Sequence, residues 1–413
     1  MAKIKFITPI FLFLPFCLSA QIFNTPSALV PYLQTAPQIH SRAAVLIDAH
    51  TGALLYSKNP GDEIPPASLT KLMTMHLVMK EIKEGRASYD QIVPITAESW
   101  AQSQPPRSSL MFLEPGQIVT LREILLGLAV VSGNDAAVAA ALSVSPDMKQ
   151  FAAKMTMEAR NMGLYITRFA ESSGISEYNK TTAEEFASFC HQYLIMHPHS
   201  ISEFHSVNEF SYPLAANVQE RHRNNPRTIV QYNRNDLLRT FPGVDGLKTG
   251  FIYESGYNIA LTAKRDDTRY ILVLLGAPNV RYGSRLRAQD GINLLGWAFE
   301  LFKTVRPPIS QIEKAYPKTT EVWKGREKTI EITLSHPADF TAPKTRAKSL
   351  FYETIINYPL IAPIKAGSQI GFLIISDEKG ELNRIPLVAV KDCESAKTLK
   401  RIWHTVVLMF KRW

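Results

Sequence analysis

In residues 65–74, PPASLTKLMT, a hydroxyl at Ser68 and an amine at Lys71 stand three positions apart in front of an apolar run. Pro65 and Pro66 can introduce a helix but cannot continue one. After them Leu69, Leu72, Met73, His76, Leu77, Met79 and Ile82 recur at helical spacing. In the first turn of a helix, residue i+3 returns to the face of residue i, so Lys71 can reach the Ser68 oxygen. Serine attacks poorly at neutral pH unless a base removes its proton. Lysine, with a pKa near 10.4, is such a base only where burial or a neighbouring cation lowers that value. The same residues also describe the polar edge of an ordinary surface helix, so the pair acquires meaning only from the rest of the chain.

The chain has 413 residues, 46% hydrophobic and 20% charged, which is globular composition with room for two domains. Its net charge of +9 suits nucleic acid, anionic lipid or another acidic polymer as a neighbour. The N-terminus narrows this choice. In MAKIKFITPIFLFLPFCLSAQ, Lys3 and Lys5 precede an apolar run from Phe6 to Leu18 and then Leu18-Ser19-Ala20. That order describes a secretory signal peptide over residues 1–20, too short for a typical membrane span. Cys17 raises a lipoprotein alternative, against which stands the bulky Phe16. Export argues against nucleic acid as a partner. It leaves Cys190 and Cys393, far apart, as two isolated buried thiols rather than a disulfide framework.

Outward from Ser68, AAVLIDAHTGALLYSKN (43–59) predicts a β-hairpin. A helical stretch follows the SLTK helix, with a capping box at Thr120–Glu123 and a further helix beginning at Asp135. Strands return at 257–263 and 270–276, followed by a helix over Ser284–Lys303. Strands at both ends with helices between predict an α/β (α+β) domain with one antiparallel sheet built from both ends. Pro307 and Pro308 mark a boundary, dividing 21–304 from about 90 residues of short strands (305–395) that predict a small β domain. KTLKRIWHTVVLMFKRW (397–413) then sets Leu399, Ile402, Trp403, Val406, Met409, Phe410 and Trp413 against a dense basic face. Over 396–413 this predicts an amphipathic helix lying in an anionic membrane interface. Its alternative is a C-terminal helix packed on its own protein.

Two further fragments can share a site with Ser68. SGND (132–135) lies between apolar helices, where a turn can present the Ser132 hydroxyl as a proton relay and the Asn134 amide as a substrate holder. Read alone it is equally a helix-to-helix turn. VDGLKTG (244–250) begins a strand on which Lys248 and Thr249 offer a cation and a hydroxyl, and Gly250 leaves room for an extended ligand.

SxxK, SxN and KTG in this order resemble the signature of the penicillin-recognising acyltransferases, penicillin-binding proteins and serine β-lactamases. Within them the chain resembles the low-molecular-mass D-alanyl-D-alanine carboxypeptidases of the penicillin-binding protein 5 and 6 type over nearly its whole length. SGN, YNRNDLL (232–238), Gly256-Tyr257-Asn258 and RLRAQDGINLLGWAF (285–299) carry that resemblance, with the β domain and the amphipathic tail. It implies a transpeptidase-like fold with a helical subdomain, no cofactor and no metal. It implies that Ser68 attacks the bond between the last two D-alanines of a peptidoglycan stem peptide, and that Lys71 takes its proton. Ser132 and Lys248 would serve the leaving group, Asn134 would hold the peptide amide, and backbone N–H groups would stabilise the oxyanion. Lys248, Thr249, Gly250, Arg287 and Arg234 would form the carboxylate end of the site, and β-lactams would acylate Ser68. The positive charge of Lys248 would help to keep Lys71 neutral. Two residues depart from the family pattern at the expected cleft rim, Ile252 for threonine and Glu185 for aspartate, and bear on substrate preference.

Three rival readings remain open. A class A β-lactamase needs a glutamate well before KTG, and Glu220 is too close to it. A D,D-endopeptidase differs only in the bond it meets. An idle membrane-tethered scaffold makes no use of Ser68, Lys71, Ser132 and Lys248. His197, His199 and His205 could suggest zinc, but their segment reads as a loop with solvated histidines.

Overall fold

The computed structural model describes residues 22–410. The 1–20 segment and Trp413 therefore lie outside the described residues. A short helix α1 (Val30–Leu33) precedes β1 (Ala43–Asp48) and β2 (Leu54–Lys58), the expected antiparallel hairpin. Helix α2 (Thr70–Lys83) follows Ser68 directly, with α3 (Leu121–Leu126), α4 (Asn134–Val144), α5 (Met148–Asn161) and α6 (Ala183–Met196) beyond it. The periodicity of α2 predicts one apolar face, yet Thr70 through Met79 are all buried, including Lys71, Thr74 and His76. A helix enclosed on every side is a core element, here surrounded by α4, α5 and the sheet. The Thr120–Glu123 capping box is formed, so α3 starts where its sequence places it.

The hairpin β3 (Glu209–Tyr212) and β4 (Ile229–Tyr232), with α7 (Leu237–Thr240), leads into β5 (Val244–Ile252), β6 (Gly256–Arg265) and β7 (Thr268–Ala277). The sheet runs β2-β1-β7-β6-β5, every neighbouring pair antiparallel, so both ends of the domain meet at the β1–β7 pairing. Ala43, Val45 and Ile47 face the core shared with α2, whereas Ala44 and Leu46 face a second core beneath α8 (Gly283–Leu301). Both faces are covered, which explains why β1 is apolar throughout rather than alternating.

The helix expected to reach Lys303 ends at Leu301. Phe302–Val305 becomes a strand, β8, because its buried Phe302 and Thr304 alternate with less buried neighbours and its backbone has a partner downstream. Helix α9 (Ile309–Ala315) and strands β9 (Thr319–Glu321), β10 (Thr329–Leu334), β11 (Phe340–Pro343), β12 (Phe351–Ile356), β13 (Gln369–Asp377) and β14 (Gly380–Ala389) follow. Five form a sheet in the order β12-β13-β14-β10-β9, and β11 pairs with β8. Across the same junction Asp48 accepts hydrogen bonds from the hydroxyls of Thr304 (2.7 Å) and Thr341 (2.9 Å). Among the described residues Cys190 and Cys393 are buried and form no disulfide.

Helix α10 (Thr398–Phe410) buries none of its residues. It meets the β domain by its polar side: Lys400 Nζ donates to the carbonyl of Gly325 at 2.8 Å, and His404 Nδ1 accepts from Lys324 N at 2.8 Å. Leu399, Trp403, Met409 and Phe410 remain exposed. These side chains are left uncovered by the rest of the described residues.

Candidate active site

Ser68 lies in the short 3-10 turn Ala67–Leu69 that enters α2, with Ala67 held at φ +51°. Two glycines let backbone close over this turn. A Cβ at Gly174 would meet the Ala67 carbonyl oxygen at 1.9 Å, and one at Gly250 would meet Ser68 N at 3.1 Å. Lys71 Nζ, fully buried, lies 3.1 Å from Ser68 Oγ, 2.8 Å from Asn134 Oδ1 and 2.6 Å from the carbonyl oxygen of Ser173. Burial lowers the Lys71 pKa to about 8, while the negative charges of Glu171 and Asp135 oppose the shift. The influence expected from Lys248 falls the other way. Lys248 itself is driven well below the usual lysine value, first by burial and then by Lys71, Arg234 and Arg287.

Ser132 sits at φ +62°, where the chain leaves the π-helical turn Gly127–Val131 for α4. Asn134 opens α4, and its Nδ2 donates to Ser108 Oγ at 3.1 Å. Its neighbour Asp135 is buried and accepts from the backbone N–H groups of Met111, Phe112 and Leu113 at 2.8, 2.8 and 3.0 Å. That carboxylate holds 111–113, next to residues 106–109, which form one wall of a cleft of about 920 Å³. Ser68, Ser132, Asn134, Arg234, Thr249, Gly250 and Arg287 all line this cleft. Lys71 and Lys248 lie behind its wall, and Lys248 Nζ donates to the Thr249 carbonyl at 3.1 Å.

Arg287 projects from α8 with its guanidinium buried. Nη1 donates to the Asn258 carbonyl at 3.2 Å, and Nε has no hydrogen-bond partner among the described residues. Burial lowers its pKa to about 10. A desolvated cation with an unused donor at a cleft is matched to an anion. Arg234 is exposed at the same cleft. The asparagines on either side of it point inward: Asn233 Nδ2 donates to the Val207 carbonyl at 2.9 Å and Asn235 Nδ2 to that of Gly246 at 3.3 Å. This block therefore anchors the start of β5.

Ile252 lines the cleft as expected, but Glu185 does not reach its rim. It is buried at the start of α6, accepting from Ile166 N at 2.9 Å and from Thr167 N at 2.7 Å, because the unpaired N–H groups of that turn need an acceptor. The histidines also differ from expectation. His197 is buried with its Nε2 2.9 Å from His76 Nδ1, and buried His205 has its Nε2 2.7 Å from the Tyr193 hydroxyl; only His199 is exposed. Residues 201–205 form a π-helical turn, which carries His205 inward. No group of three or more metal-ligating side chains comes together among the described residues.

Three contributors escaped the sequence motifs. Asp135 was visible only as a helix opener. Glu171 lies among turn residues, and Phe251, whose ring centroid is 4.4 Å from that of Tyr257 in the Gly256-Tyr257-Asn258 stretch, belongs to no motif.

Residues 31–279 match the family model described as D-alanyl-D-alanine carboxypeptidase, and residues 308–395 match that of the penicillin-binding protein 5 C-terminal domain. The chain is 30% identical to the D-alanyl-D-alanine carboxypeptidase DacF of Bacillus subtilis, over 86% of this chain and 86% of that one. It is 29% identical to DacC of Escherichia coli over 92% and 90% of the two chains. The crystal structure of penicillin-binding protein 5 from Haemophilus influenzae superposes with a TM-score of 0.74 at 27% identity, covering 87% of this chain and 99% of that one.

Proposed function

The chain belongs to the D-alanyl-D-alanine carboxypeptidase family, a family of serine peptidases, and on that premise we propose that Ser68 is its nucleophile and Lys71 its base. The observation that carries this assignment is the 3.1 Å approach of Lys71 Nζ to Ser68 Oγ, with the amine wholly out of water. Burial with a pKa near 8 leaves a usable fraction neutral near physiological pH. Ser68 Oγ attacks the carbonyl between the two terminal D-alanines while its proton passes to Lys71. The departing D-alanine is protonated through Ser132 and Lys248, and water then hydrolyses the Ser68 ester, leaving a tetrapeptide. Asn134 holds the peptide amide, its own amide being tied between Lys71 and Ser108. Arg287, Thr249 and Lys248 receive the terminal carboxylate beside Gly250, and Arg234 adds positive charge. Penicillin acylates Ser68 as a mimic of that terminus.

The test is incubation of purified protein with stem pentapeptide and, separately, with cross-linked dimer, followed by mass spectrometry. D-alanine is released from pentapeptide and not in Ser68→Ala; wild-type release in that variant would refute the assignment. Cleavage of the dimer at a comparable rate would favour an endopeptidase.

The same reading places the peptidase domain at 21–304, the β domain at 305–395 and an anchor at 396–413 on the outer face of the cytoplasmic membrane. No helix of the described residues is long and apolar enough to cross a membrane. The exposed Leu399, Ile402, Trp403, Val406, Met409 and Phe410 of α10 support a helix lying in the interface instead. Deleting 396–413 abolishes binding to anionic vesicles if this is right, and unchanged binding rejects it.

A further inference from the structure

A neutral amine carries two hydrogens and one lone pair. Of the three oxygens around Lys71 Nζ, Asn134 Oδ1 and the Ser173 carbonyl can only accept. When they take the two hydrogens, the lone pair is left facing Ser68 Oγ, which is the arrangement that proton removal requires. Asn134 is fixed by α4, but Ser173 belongs to a segment of bends and turns. Glu171 organises that segment. Its Oε2 accepts from Ser173 N and Ser173 Oγ, both at 2.6 Å. Its Oε1 accepts from Gly174 N at 2.7 Å, Ser176 N at 3.3 Å and Asn179 Nδ2 at 2.9 Å. Asn179 Nδ2 also lies 3.1 Å from the Thr70 hydroxyl, on the residue before Lys71, so the segment is tied to the helix that carries the base.

We propose that Glu171 is a positioning residue for acylation: by gathering 171–179 around its carboxylate it aims the Ser173 carbonyl at Lys71 and leaves the lone pair of the neutral amine facing Ser68. The proposal rests on Lys71 being the base. Both carboxylate oxygens are occupied by donors, so a glutamine there must turn an NH2 group against N–H groups. The charge also acts directly, since Glu171 holds the Lys71 pKa up against burial.

The experiment uses the full chain carrying Glu171→Gln, Ser173→Ala or Lys71→Ala. Acylation by labelled penicillin is followed across pH, kcat and KM for pentapeptide are measured, and thermal melting checks the fold. In Glu171→Gln the plateau acylation rate falls about 10- to 100-fold, as expected for a misplaced catalytic group. Its acid limb moves to lower pH, because the amine loses the charge that held its pKa up, and KM stays unchanged. Ser173→Ala removes one hydrogen bond to Glu171 and keeps the charge, so the rate falls less and the limb stays in place. It carries the test if Glu171→Gln does not melt cooperatively. Wild-type acylation in either folded variant overturns the proposal, as does a slower Glu171→Gln whose acid limb has not moved. Retained acylation in Lys71→Ala would refute the base itself; loss there with wild-type behaviour in both other variants refutes Glu171 alone.

Discussion

The two domains bury different things. Between residues 43 and 290 the interior holds Lys71, Lys248, Arg287, Asp48, Asp135, Asp290, Glu158 and Glu185. Beyond residue 305, among the described residues, the buried polar side chains are Thr320 and Thr341, and no charged one is buried. Removing a charge from water is costly unless it is paired or hydrogen-bonded, so a charge-bearing interior needs a reason. In the peptidase domain the reasons divide: Asp48 and Glu185 satisfy hydroxyl and backbone donors, whereas Lys71, Lys248 and Arg287 cluster at or behind the cleft. Lys71 and Lys248 are kept where their pKa values fall, and Asp135 is used to hold a cleft wall. The β domain has no such demand, and its interior is packed for stability, with its Arg346–Asp377 ion pair left outside the fully buried core.

Substitutions can break this contrast. The largest effect is expected for Ser68→Ala, which lowers D-alanine release by about 10⁵-fold or more while the protein melts as before. Leu373→Ala, in the core of the β domain, costs about 2–5 kcal/mol of stability and leaves the acylation rate of folded protein unchanged. Denaturant unfolding beside penicillin labelling separates the two outcomes. Arg287→Ala removes a charge-assisted contact and raises KM for pentapeptide about 10- to 100-fold, with melting little altered.

Two pH effects sharpen the same comparison. On the proposed mechanism acylation needs neutral Lys71, so its rate should rise with pH toward a plateau above about 8, which a stopped-flow pH series reads directly. Stability responds in a different window. Burial lowers the pKa of both His197 and His205 from 6.5 to about 3. Their folded-state values lie below the unfolded ones, so the contribution is present above about 6.5 and is lost as pH falls toward 3. Melting temperature should therefore decline across that range, and His205→Asn should flatten part of the decline.

Much of this molecule was legible in its residues. Pro65 and Pro66 located the start of α2, and the Thr120–Glu123 pair the start of α3. Each signal is local, so its physics is complete within a few residues. The cleft residues Ser68, Ser132, Asn134, Thr249 and Gly250 were legible as well, because three short motifs stand together, and Arg287 and Arg234 because the family resemblance implied them. What failed was environment. Glu185 was expected at a rim and is buried under a turn, and of the three histidines expected in solvent His197 and His205 lie inside. Burial depends on which distant segments cover a residue, and no spacing reports that.

The sequence alone therefore determined which groups could react, the order in which they occur, and the elements that carry them. Helix starts, strand alternation and the Ser68–Lys71 spacing are set by neighbours along the chain. Tertiary structure decided the protonation and aim of those groups. A carbonyl 102 residues away and an amide 63 residues away meet the Lys71 amine in a place that water does not reach, which is what the proposed role of base requires. Desolvation and hydrogen-bond direction exist only once those segments have come together, which is why PPASLTKLMT holds the hydroxyl and the amine without holding the environment around them.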